Sequence, residues 1–143
     1  MARCCGAGRW VDGMVAARPF ADDEAVLEAA ERLWWALGPG DWLEAFAGHP
    51  RIGERAGNDW ARAEQAGVDA AGVETRRALA AGTEEYERRF GHVFLICATG
   101  RSADEMFGDL RRRLKHEPAR ELRVAAGEQA KITRIRLEKL VSP

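Results

Sequence analysis

Apolar residues recur at helical spacing after residue 20 and predict a helix there. Asp22 or Asp23 can cap its start, because an aspartate side chain accepts hydrogen bonds from the N–H groups that a first helical turn leaves unpaired. The glycines and proline at 38–40 end the pattern. The apolar face carries Val26, Leu27, Ala30, Leu33, Trp34 and Leu37.

A shorter helical turn follows, and Asp41 is its predicted cap. Its apolar residues are Trp42, Leu43 and Phe46. Gly48 and the His49–Pro50 pair stop the turn, because the residue before a proline avoids helical geometry. His49 is therefore expected at a corner between a helix and a loop, where functional residues are over-represented.

The middle of the chain changes from irregular to strongly helical. Residues 51–57 combine glycine and charge without periodicity and predict a loop, and a short helix carrying Glu64 is predicted over 59–66. Alanine, glutamate and arginine dominate 73–89, where Leu79 and Tyr86 share one face. This stretch is predicted to form a longer helix with a charged outer surface.

Residues 90–97 form an apolar stretch rich in β-favouring side chains and predict one buried extended segment. No other stretch alternates apolar and polar residues for long enough to pair with it in a sheet. We therefore expect backbone groups in this segment to be left for a partner other than a strand.

Two further helices are predicted in the last third of the chain. Ser102 caps the first, which turns Met106, Leu110 and Leu114 inward. Pro118 begins the second, which continues to Leu140. Its apolar stripe consists of Leu122, Ala125, Ala126, Ile132, Leu137 and Leu140.

Arg136 is predicted to face inward on this last helix. A rotation of ~100° per residue places it within the arc of the apolar stripe, whereas Lys131, Arg134 and Glu138 point outward. A guanidinium keeps its charge, so its burial requires a carboxylate partner or an anionic ligand. A snorkelling side chain or a structural ion pair is the commoner explanation, and these residues alone leave both open.

Composition narrows the classes of function. The 143 residues include 22 Lys and Arg against 23 Asp and Glu, so no overall field favours nucleic acid or an anionic membrane. The Arg111–Arg113 run is expected to be a solvated helix face. No uncharged run approaches the ~20 apolar residues that span a bilayer. One domain over residues 1–143 is expected, in the cytoplasm, since residues 1–20 lack the features of a secretion signal.

Candidate chemistry is sparse when each residue is taken alone. The three cysteines and three histidines lack zinc-ligand spacing, so no metal is expected, and no disulfide framework is indicated. His49 suits general acid or base catalysis because imidazole titrates near neutrality, although a structural histidine is commoner. Glu64 and Gln65 are uninformative by themselves, since a solvated glutamate is the usual case.

Six groups of residues, taken in order, resemble the OHCU decarboxylase family, which acts on 2-oxo-4-hydroxy-4-carboxy-5-ureidoimidazoline. They extend across nearly the whole chain, and their shared order is more specific than any single group. The groups are Arg9-Trp10-Val11, Arg18-Pro19-Phe20, His49-Pro50-Arg51-Ile52-Gly53, Glu64-Gln65-Ala66-Gly67, Tyr86 with Phe90-Gly91-His92-Val93-Phe94, and Lys131-Ile132-Thr133 with Arg136-Leu137.

The resemblance implies an all-α helical bundle, usually a homodimer, that forms (S)-allantoin during urate breakdown without a cofactor or metal. It implies an acid-base role for His49, substrate orientation by Glu64 with Gln65, and an anion-binding role for Arg136. It further implies that Pro50 and the backbone of residues 93–96 (Val93, Phe94, Leu95 and Ile96) bind the substrate.

Thr83 and His116 stand where asparagine is common in the family, which is interpreted as structural variation. Two further departures bear on function. Ala61 occupies a position where the family often has serine, and the family's first amphipathic helix, which precedes Cys4–Cys5, is expected to be missing from the N-terminus. The alternative function is therefore a catalytically impaired relative, or a helical interaction module with the same fold.

Overall fold

Six α-helices make up the regular structure of residues 1–52 and 72–142, which this computed structural model describes. They are α1 (Gly8–Ala16), α2 (Asp23–Trp35), α3 (Pro39–Ala47), α4 (Val73–Phe90), α5 (Ala103–Arg113) and α6 (Pro118–Val141). These residues form no β-strand, so the expected all-α class is confirmed. The predicted helix over 59–66 lies outside the described residues.

The chain divides into two compact units. The first unit contains residues 1–48 and 126–143, and the second contains residues 49–125. Helix α6 contributes its first turns to the second unit and the remainder to the first. No helix in the described part of the chain is long and apolar enough to cross a membrane.

Indole N–H groups tie the helices of the first unit together. Trp10 of α1 donates to the Ala30 carbonyl at 3.1 Å, and Trp34 of α2 donates to the Ala126 carbonyl at 2.9 Å. Both rings are buried. A buried indole needs such an acceptor, because an unpaired N–H away from water costs ~1–3 kcal/mol.

Helix α1 was not predicted from the sequence. Its buried residues are only Trp10 and Met14, one turn apart, and no side chain caps its start. The interior Gly13 lowers the helix propensity further. The signal that could have identified it is the four-residue spacing of these two large apolar side chains.

The start of α2 was predicted correctly, but the helix ends at Trp35, so Leu37 lies outside it. The predicted start of α3 was also wrong. Asp22 caps α2, and its carboxylate accepts from the Ala25 N–H at 2.8 Å. Helix α3 begins at Pro39, two residues before the expected cap, because proline at a first helical position loses no hydrogen bond. Asp41 lies inside the first turn and accepts from the Gly38 N–H at 3.5 Å.

The second unit is built on the packing of α4 against α5. Gly82 permits this packing, since a Cβ there would lie 2.5 Å from Leu110 Cδ2. Helix α4 ends at Phe90 and is capped by Gly91, whose φ of 80° glycine adopts without strain. The core cluster consists of Leu79, Tyr86, Phe94, Ile96, Ala98, Ala103, Met106 and Leu110.

The last two helices confirm most of the prediction. Ser102 and Glu105 form the reciprocal cap of α5, with both hydrogen bonds at 3.1 Å. Helix α6 begins at Pro118 as expected. The predicted apolar stripe is wrong at its end, where Leu140 is 47% exposed, because helix ends extend beyond the core they cover.

Candidate functional site

The corner at His49 is defined by its two neighbours in sequence, Gly48 and Pro50. Gly48 closes the last turn of α3 through its N–H to the Ala45 carbonyl at 3.2 Å, and Pro50 prevents the helix from continuing. His49 and Pro50 are both half-buried. This placement of His49 just after a helix confirms the sequence prediction.

Two contacts hold the segment that follows His49 in place within the second unit. Arg51 Nε lies 2.8 and 3.1 Å from the two carboxylate oxygens of Glu87 on α4. Ile52 packs against the core cluster that includes Phe94 and Ile96. Within the second unit, the segment after His49 and the extended segment at 93–96 therefore contact the same core.

Residues 93–98, which contain the segment predicted to be extended, form no helix or turn, and they pair with no strand among residues 1–52 and 72–142. Phe94, Leu95 and Ile96 are buried, and Val93 is half-buried. Within the described residues, no backbone-to-backbone hydrogen bond joins 93–97 to another segment. The Leu95 carbonyl has a side-chain partner instead, since it accepts from Arg113 Nη1 at 2.8 Å.

A buried ion pair lies behind this segment. Arg113 of α5 binds Glu121 of α6 through Nε at 2.9 Å and Nη2 at 2.6 Å, with both side chains within 2% of complete burial. The Tyr86 hydroxyl donates to the same carboxylate, and His116 Nδ1 lies 3.1 Å from it. Burial raises the pKa of Tyr86 far above its usual value, so this phenol remains a donor.

Aromatic packing completes the surroundings of the guanidinium. The Arg113 Cζ atom lies 4.5 Å from the centre of the Phe94 ring, and the Phe94 and Tyr86 rings meet edge to face at 5.2 Å. A cation over a ring face is stabilised most when both are removed from water. Arg113 is therefore bound to both the backbone and the side chains of the extended segment.

The sequence prediction for Arg113 was wrong. Arg111 and Arg112 are exposed as expected for a solvated run, but Arg113 is buried. It follows Leu110 by three residues and Met106 by seven, which places it on the apolar face of α5. The same winding argument that turned Arg136 inward would have identified it.

Arg136 lies in the first unit and is buried, with 9% of its surface exposed, so its predicted inward orientation is confirmed. Its Nη1 donates to the Arg3 carbonyl at 3.3 Å. Thr133, one turn earlier, donates to the Cys4 carbonyl at 3.3 Å and accepts from Gln129 at 2.9 Å. Hydrogen bonds from Thr133 and Arg136 of α6 thus hold the backbone of Arg3 and Cys4 against this helix.

The cysteines beside Arg136 are unreactive by environment. Cys4, Cys5 and Cys97 are buried and are not joined in disulfides. Burial raises the pKa of both vicinal thiols, that of Cys5 to about 11. At neutral pH they are packing groups rather than nucleophiles.

The predicted site residues fall into three sets. His49, Pro50 and residues 93–96 lie in the second unit, and Arg136 lies in the first. Glu64, Gln65 and Ala61 lie outside the described residues. Among the residues with described positions, no three His, Cys, Asp or Glu side chains gather as ligands for a metal ion.

The sequence matches known proteins along most of its length. The profile described as OHCU decarboxylase matches residues 1–138. The chain is 35% identical over 147 residues to the uric acid degradation bifunctional protein TTL of Arabidopsis thaliana, covering 97% of this chain and 45% of that protein. It is 39% identical over 57 residues to the 2-oxo-4-hydroxy-4-carboxy-5-ureidoimidazoline decarboxylase of Amia calva, covering 40% and 33%. The chain therefore spans less than half the length of these curated relatives.

Two solved structures resemble this one. The crystal structure of OHCU decarboxylase in the presence of (S)-allantoin matches with a TM-score of 0.90 and 32% identity, covering 99% of this chain and 96% of that chain. The crystal structure of (S)-allantoin synthase matches with a TM-score of 0.67 and 16% identity, covering 90% and 41%. The second likeness concerns the fold alone.

Proposed function

The chain belongs to the OHCU decarboxylase family, and from this premise we propose that it converts 2-oxo-4-hydroxy-4-carboxy-5-ureidoimidazoline to (S)-allantoin in urate breakdown. The observation that carries the proposal is the nearly complete structural correspondence with an OHCU decarboxylase that was crystallised with (S)-allantoin. The match covers almost all of both chains, so it is not limited to one shared motif.

The proposed reaction exchanges a carboxylate for a proton on one carbon. The bond to the carboxylate breaks, carbon dioxide leaves, and the electron pair moves into the neighbouring carbonyl or imine. The resulting enolate-like anion then takes a proton on the same carbon. Catalysis therefore requires stabilisation of the anion and delivery of the proton to one face only.

In the proposed site, His49 delivers that proton. Its position at a half-buried corner, anchored by the Arg51–Glu87 ion pair and by Ile52, supports this role because a proton donor must be held in a fixed orientation. Glu64 with Gln65 holds the ureido group and so selects the face that is protonated. No cofactor or metal ion enters these steps.

Arg136 is proposed to bind the anionic part of the substrate. Its buried guanidinium keeps its charge, and its planar N–H fork matches a carboxylate or an enolate oxygen. Pro50 and the backbone of residues 93–96 are proposed to contact the ring. Among the described residues no strand pairs with 93–96, which supports this role, since these backbone groups are not committed to a sheet there.

A kinetic comparison of variants tests the proposed function. Substrate is generated in place by oxidation and hydrolysis of urate, and its disappearance is followed with and without protein. His49→Ala should lower kcat by about 10²–10⁴-fold, as expected for loss of a general acid or base. An unchanged melting temperature would show that the fold is intact.

A matched arginine pair tests the anion site. Arg136→Lys should reduce kcat/KM by at least about tenfold, because an ammonium cannot reproduce the guanidinium fork. Arg134→Lys, two residues earlier on the exposed face and paired with Glu138 at 3.0 Å, should leave the kinetics unchanged. A stable wild-type protein that does not accelerate substrate decay would favour the non-catalytic alternative.

We also propose that the protein is a cytoplasmic homodimer that needs no metal. Sedimentation velocity at micromolar concentration should give about twice the 15.8 kDa mass of the chain. Activity should survive dialysis against a chelator. A monomer with full activity would refute the dimer, and loss of activity on chelation would refute metal-free catalysis.

A further inference from the structure

The buried Arg113–Glu121 pair also contacts the backbone of the segment at 93–96. Arg113 directs three hydrogen bonds to Glu121 and a fourth to the Leu95 carbonyl. A buried guanidinium needs acceptors for its N–H groups, and the Leu95 carbonyl is the acceptor that Arg113 Nη1 uses. This carbonyl belongs to the segment that the proposed function assigns to substrate binding.

The hydrogen bond from Arg113 to the Leu95 carbonyl fixes the orientation of the Leu95–Ile96 peptide group. The Leu95–Ile96 peptide bond is trans, and in a planar trans peptide the C=O and N–H groups point to opposite sides. Because Arg113 Nη1 holds the Leu95 carbonyl, the Ile96 N–H points away from Arg113. The guanidinium therefore selects which side of the segment presents a donor.

Other contacts prevent the guanidinium from rotating. Its Nε, Nη1 and Nη2 nitrogens all donate, and its face lies 4.5 Å from the Phe94 ring. Glu121 is fixed in turn by Tyr86 and His116, which come from outside the ion pair. Arg89 donates to the His116 carbonyl at 2.7 Å, so α4 holds the far end of the network as well.

We propose that Arg113 is a positioning residue that, by holding the Leu95 carbonyl, aims the Ile96 N–H at a carbonyl oxygen of the ureidoimidazoline ring. This inference rests on the proposed function and extends it to a residue that does not touch the substrate. A lysine cannot replace Arg113, because one ammonium cannot satisfy both Glu121 and Leu95 with the geometry of a planar fork.

The test separates positioning from stability with two variants and a control. In the double variant Arg113→Met/Glu121→Gln no buried charge is left unpaired, so the protein should fold, but the Leu95 carbonyl loses its partner. Its KM should rise by about tenfold, the usual effect of one misplaced hydrogen bond, while kcat changes less. Arg113→Lys should raise KM in the same direction, and Arg112→Lys on the exposed side of α5 should change neither constant.

Hydrogen exchange supplies a readout that does not depend on turnover. Amides of residues 93–97 should exchange faster in the double variant than in the wild type, while those of α4 should not. A folded double variant with wild-type KM and wild-type exchange would overturn the inference and leave the proposed function standing. A wild-type protein without decarboxylase activity would refute the proposed function, and the inference with it.

Discussion

Replacing Arg113 by methionine should destabilise the protein by about 3–5 kcal/mol, because it leaves the fully buried Glu121 carboxylate without its counter-ion. Glu121→Gln should have a cost of similar size, since it leaves the buried guanidinium without a negative charge. The double variant Arg113→Met/Glu121→Gln removes both charges. In this variant the side-chain amide of the new glutamine can still accept the hydrogen bond from the Tyr86 hydroxyl. The main loss is the hydrogen bond to the Leu95 carbonyl, which should lower the free energy of unfolding by about 1–3 kcal/mol.

The double variant should therefore be more stable than either single variant. Urea unfolding followed by far-ultraviolet circular dichroism gives all three free energies, and similar slopes would show that the same transition is compared. Arg112→Met is the control, because its exposed pair with Asp109 should contribute less than about 1 kcal/mol. Costs that simply add in the double variant would refute the claim that the two charges depend on each other.

Two further predictions concern packing and pH. Gly108→Ala should raise the free energy of unfolding by about 0.5–1 kcal/mol through helix propensity, since its added Cβ meets nothing. The free energy of unfolding of Gly82→Ala should be at least about 1 kcal/mol lower than that of Gly108→Ala, because buried Leu110 must shift to make room for the new Cβ. Equal shifts in the melting temperatures of the two variants would contradict this. Burial raises the pKa of the Cys5 thiol from 9.0 to about 11, so between these pH values the unfolded chain loses the thiol proton while the folded protein keeps it. The free energy of unfolding should therefore decrease by about 2–3 kcal/mol as pH rises from 9 to 11. Cys5→Ala should lose less over that range, and identical pH profiles would refute this.

Local rules were enough to predict most of the helices. Capping by Asp22 and Ser102, interruption at Pro50 and initiation at Pro118 depend on neighbouring residues, so the sequence contains the whole signal. Helix α1 lacks a capping side chain and is stabilised by contacts of Trp10 with α2. The formation of this helix depends on residues that are distant along the chain, and the local pattern of apolar residues contains no information about such contacts.

The candidate site was predictable to a different extent. Helical winding located Arg136, and the break before Pro50 located His49. Arg113 was missed because a run of three arginines suggests solvent, whereas its burial depends on Glu121 and Leu95, which belong to other segments. The roles of His49, Glu64 and Arg136 derive from resemblance, since no local pattern links residues so far apart in sequence.

The most direct test of the proposed function is the handedness of the allantoin that forms. Spontaneous decay of the substrate gives a racemic product, whereas protonation by a fixed donor gives one enantiomer. With purified wild-type protein, circular dichroism should report (S)-allantoin appearing faster than the uncatalysed decay. Racemic allantoin formed at the spontaneous rate would contradict the proposed activity.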